Sequence, residues 1–207
     1  MHVLYHDRWV IAFDKPSGLL SVPGIGPDKQ DCLASRAAEA FPGARIVHRL
    51  DRDTSGVIVM ALDPESHREL SRQFEARETV KTYVALGSGH VADDSGTIDL
   101  PMRKQAMGSA LQIIDHELGR RAVTHWHVLE RLEGPPRTRF SLHPVTGRSH
   151  QLRLHLQVLG HPVLGDELYA PPAVLELSPR LCLHASSLEV THPATRTRLQ
   201  FESAAPF

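Results

Sequence analysis

The sequence predicts an α+β fold, richer in strands than in helices. Short apolar or alternating runs recur along the chain, each bounded by clusters of Gly, Pro, Asp or Ser. Only three stretches place apolar residues at helical spacing. The runs at 121–132 and 137–144 lie close enough in sequence to form a hairpin. The 207 residues suit one domain spanning 1–207, and a hydrophobic fraction of 41% is enough for a core.

In chain order, "WVIAFDKPSGLLSVPG" (9–24) reads as a short strand followed by turns, because Pro16, Gly18, Pro23 and Gly24 exclude helix. "DCLASRAAEAF" (31–41) reads as a helix through Leu33, Ala37, Ala38 and Phe41, closed by Pro42-Gly43. Ile46 and Val47 open a strand that breaks into the turn "HRLDRDTSG" (48–56), and "VIVMAL" (57–62) resumes it. Asp63-Pro64 starts a helix running to about residue 78, with Leu70 and Phe74 on one face. Strands follow at 80–89, 96–102, 121–132 and 137–144. "TGRSHQLRLHLQVLG" (146–160) reads as a helix capped by Ser149, striped by Leu152, Leu156 and Leu159 and ended by Gly160. Strands at 181–190 and 198–203 complete the chain, and no repeat or low-complexity segment appears.

Net charge is −1, which gives no argument for a polyanionic partner. The charge is uneven, however: residues 120–153 carry seven arginines against Glu130 and Glu133. A basic stretch of this kind suits a phosphate-bearing ligand or a solvated surface. Cys32 and Cys182 stand far apart and read as reduced, buried residues. With no signal sequence and no apolar run of membrane-spanning length, a cytoplasmic protein is expected. Fourteen histidines raise the question of a metal, but H-E-x-x-H is absent and His125 and His127 have no cysteine or carboxylate beside them. G-x-S-x-G, the Walker motif and G-x-G-x-x-G are absent too, so neither a metal nor a cofactor is expected.

The turn at 48–56 remains. A lone Asp on a loop is usually a turn former. Here Asp51 is boxed by His48, Arg49, Arg52 and a Thr-Ser-Gly able to present backbone N–H groups. A carboxylate among such donors between two apolar strands is a candidate catalytic group.

"HRLDRDTSG" resembles the H-R-L-D-x-x-T-S-G motif of the RluA-type pseudouridine synthases at every fixed position. "DKPSGLLSVPG" (14–24) is similar to that family's N-terminal block, "KTY" (81–83) to its lysine/arginine-x-tyrosine block, and "TGRSHQLRLHLQVLGHPVLGDELYA" (146–170) to its C-terminal signature. The resemblance runs from about Val3 to Phe207 and is weakest over 103–120, a variable RNA-clasping loop in relatives. It implies a mainly antiparallel central sheet with flanking helices and an active-site cleft across it. It also implies RNA as the partner, no cofactor and no metal.

Residue by residue, Asp51 matches the catalytic aspartate and Tyr83 the tyrosine that stacks on the target base. Arg153 matches the aspartate's arginine partner, and Arg49 the arginine that displaces or replaces the flipped nucleotide. Arg120, Arg121, Arg148 and His150 are the expected further RNA contacts. An adjacent arginine favours an ionised carboxylate. The reaction implied cuts the N1–C1′ bond of a uridine, turns the base and rejoins it through C5. Asp51 would abstract a C2′ proton or act as nucleophile, and the sequence leaves both open. Because the catalytic resemblance begins almost at the first residue, no S4 domain is expected. The nearest subgroup is then the short RluA-like one, acting on tRNA anticodon stem-loops and large-subunit rRNA hairpins, with a monomer expected.

Three alternatives remain: a non-catalytic RNA-binding or ribosome-assembly factor, a glycoside hydrolase using Asp51 and Asp53, and a metal-dependent hydrolase. Two carboxylates two residues apart on a tight turn are poorly placed to flank one glycosidic bond.

Overall fold

The computed structural model describes residues 2–207. The first half of the chain runs β1 (His2–His6), β2 (Val10–Lys15), α1 (Leu33–Ala40), β3 (Arg45–Ile46), β4 (Ser55–Ala61), α2 (Pro64–Glu75), β5 (Val80–Ser88) and β6 (Ser95–Asp99). There follow β7 (Met102–Lys104), β8 (Gln112–Ile114), β9 (Val123–Leu132), β10 (Arg137–Pro144), α3 (Gln151–Val158), α4 (Pro172–Leu175), β11 (Leu183–Thr191) and β12 (Arg198–Glu202). The α+β expectation holds. The elements form two compact units, one comprising the chain up to Lys81 together with His184–Phe207, the other Thr82–Leu183.

In the first unit β2 lies antiparallel to both β1 and β4. β4 also pairs with β3 and, in parallel at Ser55 and Gly56, with His184 and Ala185 of β11, which is antiparallel to β12. Every residue of β4 is buried, as its unbroken apolar run requires: a strand covered on both faces does not alternate. Val57, Val59 and Ala61 share a core with Val10, Ala12, Leu188, Val190, Phe201 and Leu70 of α2. The start of α2 was legible: Asp63 Oδ1 accepts from Glu65 N and Ser66 N, with Pro64 in the first turn. Gln73, on the same helix, is buried and trades two 2.8 Å hydrogen bonds with the backbone of Thr191.

In the second unit β5, β10, β9 and β6 form an antiparallel series. β10 falls on the predicted 137–144. Two sequence expectations are corrected here. The run 96–102 is not one strand: β6 ends at Asp99, and β7 begins at Met102 to pair with β8. The predicted helix 146–160 is α3, and its cap is not Ser149. His150 occupies that position in the left-handed conformation (φ 55°, ψ 17°) with no side-chain cap. The cause is Gln151. Its Oε1 accepts from Thr146 Oγ1 (2.7 Å) and Arg148 N (3.0 Å), folding 146–149 as a loop onto the first helical residue. Its Nε2 donates to Val123 O and Thr124 Oγ1, anchoring α3 on β9.

Candidate active site

Asp51 stands half-buried in the turn between β3 and β4, and the N-terminal block holds the backbone on both sides of it. Lys15 is fully buried at the end of β2, and its ammonium donates to the carbonyls of Pro16 (2.9 Å), Leu19 (2.6 Å) and Arg52 (2.9 Å). Gly18 N donates to the same Arg52 oxygen, and Ser17 Oγ to Asp53 O. Ser21 Oγ donates to Leu50 O and accepts from Leu50 N. The carbonyls of residues 50, 52 and 53 are therefore each tied to "DKPSGLLS". A buried ammonium is tolerated only when its protons are satisfied, and three carbonyls meet that demand.

The "TSG" that follows is held from the other end of the chain. Ser55 Oγ lies 2.8 Å from His184 Nδ1, and His184 Nε2 lies 3.1 Å from Ser203 O. The carbonyl can only accept, so Nε2 carries the proton and Ser55 donates to Nδ1. Ser203 Oγ in turn donates to Asp14 Oδ2 (2.9 Å). Gly56 sits at φ 110°, and a Cβ there would collide with the backbone of Ala185. The motif's glycine is required by both conformation and close approach.

His48 supports the turn from below. Its Nε2 accepts from Val59 N at 3.1 Å, and its ring stacks on Phe74 with centroids 4.3 Å apart. Burial, with nearby Lys81 adding to it, pushes His48 down to about 3, so it is neutral near pH 7. Asp53 is occupied by Arg52 (Nε–Oδ1 2.9 Å, Nη2–Oδ2 3.0 Å). Arg49 is exposed.

In the second unit Tyr83 is half-buried on β5, opposite Leu142 of β10. Arg153 is buried on α3 in a two-pronged ion pair: Nε to Asp166 Oδ2 at 2.7 Å and Nη2 to Oδ1 at 2.5 Å. Asp166 is itself fully buried and also accepts from Leu168 N and Tyr169 N. The Arg153 guanidinium lies over the Tyr169 ring, 5.2 Å from its centroid. His150 Nδ1 meets the Tyr169 hydroxyl at 2.9 Å. Arg121 is exposed and paired with Asp99 (2.8 Å), and Arg148 Nε donates to Arg121 O (3.2 Å). Arg120 is exposed, with its backbone bridged to Met102.

Sequence reasoning did not single out Lys15, Ser21, His184, Asp166 or Tyr169. A lysine ending the apolar run "VIAFD" was the available signal for the first. Asp166 and Tyr169 lie inside the quoted C-terminal block, but nothing in their spacing marks a partner for Arg153. Among the described residues no group of three or more His, Cys, Asp or Glu is arranged to hold a metal ion. Among them no helix is long and apolar enough to cross a membrane.

A carboxylate on a turn whose flanking carbonyls are pinned is suited to act at one fixed point of a bound substrate. The sequence pattern described as RNA pseudouridylate synthase matches residues 9–158. The chain is 47% identical over 207 residues to the dual-specificity RNA pseudouridine synthase RluA of Yersinia pestis, covering all of both proteins. It is 44% identical over 205 residues to the protein of the same name from Escherichia coli K12, covering 99% of this chain and 93% of that one. Among solved structures, human RNA pseudouridylate synthase domain containing 1 superposes with a TM-score of 0.83 at 30% identity, over 100% of this chain and 84% of that one. Human RNA pseudouridylate synthase domain containing 4 gives 0.78 at 25% identity, over 99% and 88%. The chain belongs to the RluA-type family of RNA pseudouridine synthases, isomerases that convert uridine to pseudouridine in RNA.

Proposed function

We propose that this chain isomerises specific uridines in tRNA anticodon stem-loops, large-subunit rRNA hairpins, or both, working as a cytoplasmic monomer with 1–207 as one catalytic domain. The relatives named dual-specificity support more than one RNA substrate. The observation that carries the catalytic assignment is the pinning of Leu50, Arg52 and Asp53 around Asp51. Such rigidity is what a group acting on a single ribose requires.

In this reading the target base leaves its stack and lies against Tyr83, while Arg49 fills or opens the vacated position. Extrusion costs a few kcal/mol, least from a loop, and base–aromatic stacking returns about 1–3 kcal/mol. Asp51 takes the C2′ proton or attacks C1′, and Arg153 is its cationic partner. Arg120, Arg121, Arg148 and His150 contact the RNA. No metal or cofactor enters the scheme.

The test is tritium release from C5-labelled uridine, measured on a tRNA anticodon hairpin, an rRNA hairpin and a matched duplex. Wild type should release tritium from at least one hairpin and not from the duplex, because side chains cannot read the A-form major groove. Asp51→Asn should bind the hairpin and release nothing. Turnover by Asp51→Asn within about tenfold of wild type, about 1.4 kcal/mol, would remove Asp51 from the reaction. Equal rates on hairpin and duplex would refute the loop-flipping account.

A further inference from the structure

The β7–β8 hairpin (Met102–Ile114) lies in the stretch that least resembles the family. Its strands have three residues each, too little for stability alone, so it depends on what holds it. Met102 and Ile114 pack with Ala122, Leu154 and Tyr169. Near the end of α3 the seam is not filled. An open groove of roughly 400 Å³, lined by Leu111, Ile113, Val158 and Leu168 among others, separates hairpin from helix. At this seam the hairpin is tied by a hydrogen bond: the backbone N–H of Gln112 donates to the Tyr169 hydroxyl at 2.9 Å.

The same hydroxyl meets His150 Nδ1 at 2.9 Å. His150 takes a left-handed backbone conformation that non-glycine residues rarely adopt. The face of the Tyr169 ring carries the Arg153 guanidinium. The amide of Tyr169 donates to Asp166 Oδ1, the oxygen that also takes Arg153 Nη2. One side chain thus touches the hairpin backbone, the start of α3 and the arginine assigned to catalysis.

We propose that Tyr169 is a positioning residue that couples the β7–β8 hairpin to Arg153, its hydroxyl holding the hairpin and its ring orienting the guanidinium. The bland alternative is a tyrosine that merely satisfies its hydroxyl beside the core. The two differ in kinetics. This inference rests on the RNA-modifying reading for its link to turnover, but not for the hairpin attachment.

The experiment compares wild type with Tyr169→Phe and Tyr169→Leu, using a labelled RNA hairpin and amide hydrogen exchange of the RNA-free protein. Tyr169→Phe keeps the ring and loses the hydroxyl. Gln112 should exchange at least about tenfold faster, and kcat/KM should fall about tenfold, carried mainly by KM. Tyr169→Leu also loses the ring, and kcat should fall as well, by about tenfold or more. Unchanged Gln112 exchange in Tyr169→Phe would overturn the attachment. Equal kcat in all three proteins, or a loss that follows only the fraction folded in thermal melts, would overturn the coupling to Arg153. If wild type modified no RNA the functional reading would fall, while the exchange comparison would still decide the attachment.

Discussion

Asp166→Ala tests the buried charge of the second unit. Asp166 is fully buried and Arg153 4% exposed, and the pair is joined through two N–H groups. Removing the carboxylate takes from a buried guanidinium its two-pronged partner, which costs about 3–5 kcal/mol. Leu168 N and Tyr169 N also lose their acceptor, adding roughly 0.5–1.5 kcal/mol each. The expected total is about 4–8 kcal/mol, comparable with a domain's whole stability of about 5–15 kcal/mol. Asp166→Asn keeps an oxygen for both amides, so its cost should be the ionic part alone, about 3–5 kcal/mol.

The assay is urea unfolding followed by tryptophan fluorescence. The two tryptophans divide between the units, Trp9 in the first and Trp126 in the second, so a Trp9→Phe background reports on the second unit. The decisive variant is the double Asp166→Asn, Arg153→Met. With no buried charge left unpaired, it should be more stable than either single change, by about 2 kcal/mol or more. Single changes costing under about 1 kcal/mol, or a double no better than the sum of its parts, would refute the reasoning.

Other outcomes follow from the same structure. His48 is held down to about 3 and His155 to about 4, each chiefly by burial, so in acid the unfolded chain binds protons that the folded chain refuses. Their contribution is present above the unfolded value near 6.5 and is lost as pH falls below it. Unfolding in urea at pH 5.5 rather than 7.5 should show up to about 1.4 kcal/mol lost per histidine, and a pH-independent midpoint would contradict this. Lys15→Met leaves the Leu19 carbonyl without its buried donor and the Arg52 carbonyl with Gly18 N alone, so kcat should fall at least about tenfold with RNA affinity nearly unchanged. Equal kcat would show that the ammonium does not set the turn. Gly56→Ala forces a Cβ into the Ala185 backbone at φ 110°, so loss of soluble folded protein, or destabilisation beyond about 3 kcal/mol, is expected in denaturant titration. A wild-type midpoint would show that β4 and β11 can separate there.

Where the chain's own pattern is strong, it reads correctly. "RTRFSLHP" becomes β10 residue for residue, and Asp63-Pro64 starts α2 as its chemistry dictates. The hairpin at 102–114 was invisible because three-residue strands leave no alternation to detect. Ser149 looked like a cap because it precedes an apolar stripe, but Gln151 outcompetes it by gathering the loop onto itself. Residues 120–153 are basic as a linear segment. Arg121, Arg131 and Arg153 find Asp99, Asp94 and Asp166, all outside that window, so the net charge of a linear segment overstated the charge presented to a ligand. The motif "HRLDRDTSG" points to a turn that the structure holds on both sides of Asp51. The groups that constrain it come from residues 15–21, and from His184 and Ser203 beyond, and sequence separation hides such contacts.

The first unit is discontinuous, and this bears on biosynthesis. The turn that carries Asp51 emerges early, yet the strand that closes against Gly56 and the partners His184 and Ser203 of Ser55 are made only after all of Thr82–Leu183. Domains fold as units and earlier segments fold first. The continuous segment Thr82–Leu183 can therefore order itself while the unit holding the aspartate is still missing two strands. A nascent or prematurely terminated chain would carry a complete second unit before the turn around Asp51 is set. The turn around Asp51 is then set only once Ser203 has emerged, long after the aspartate itself.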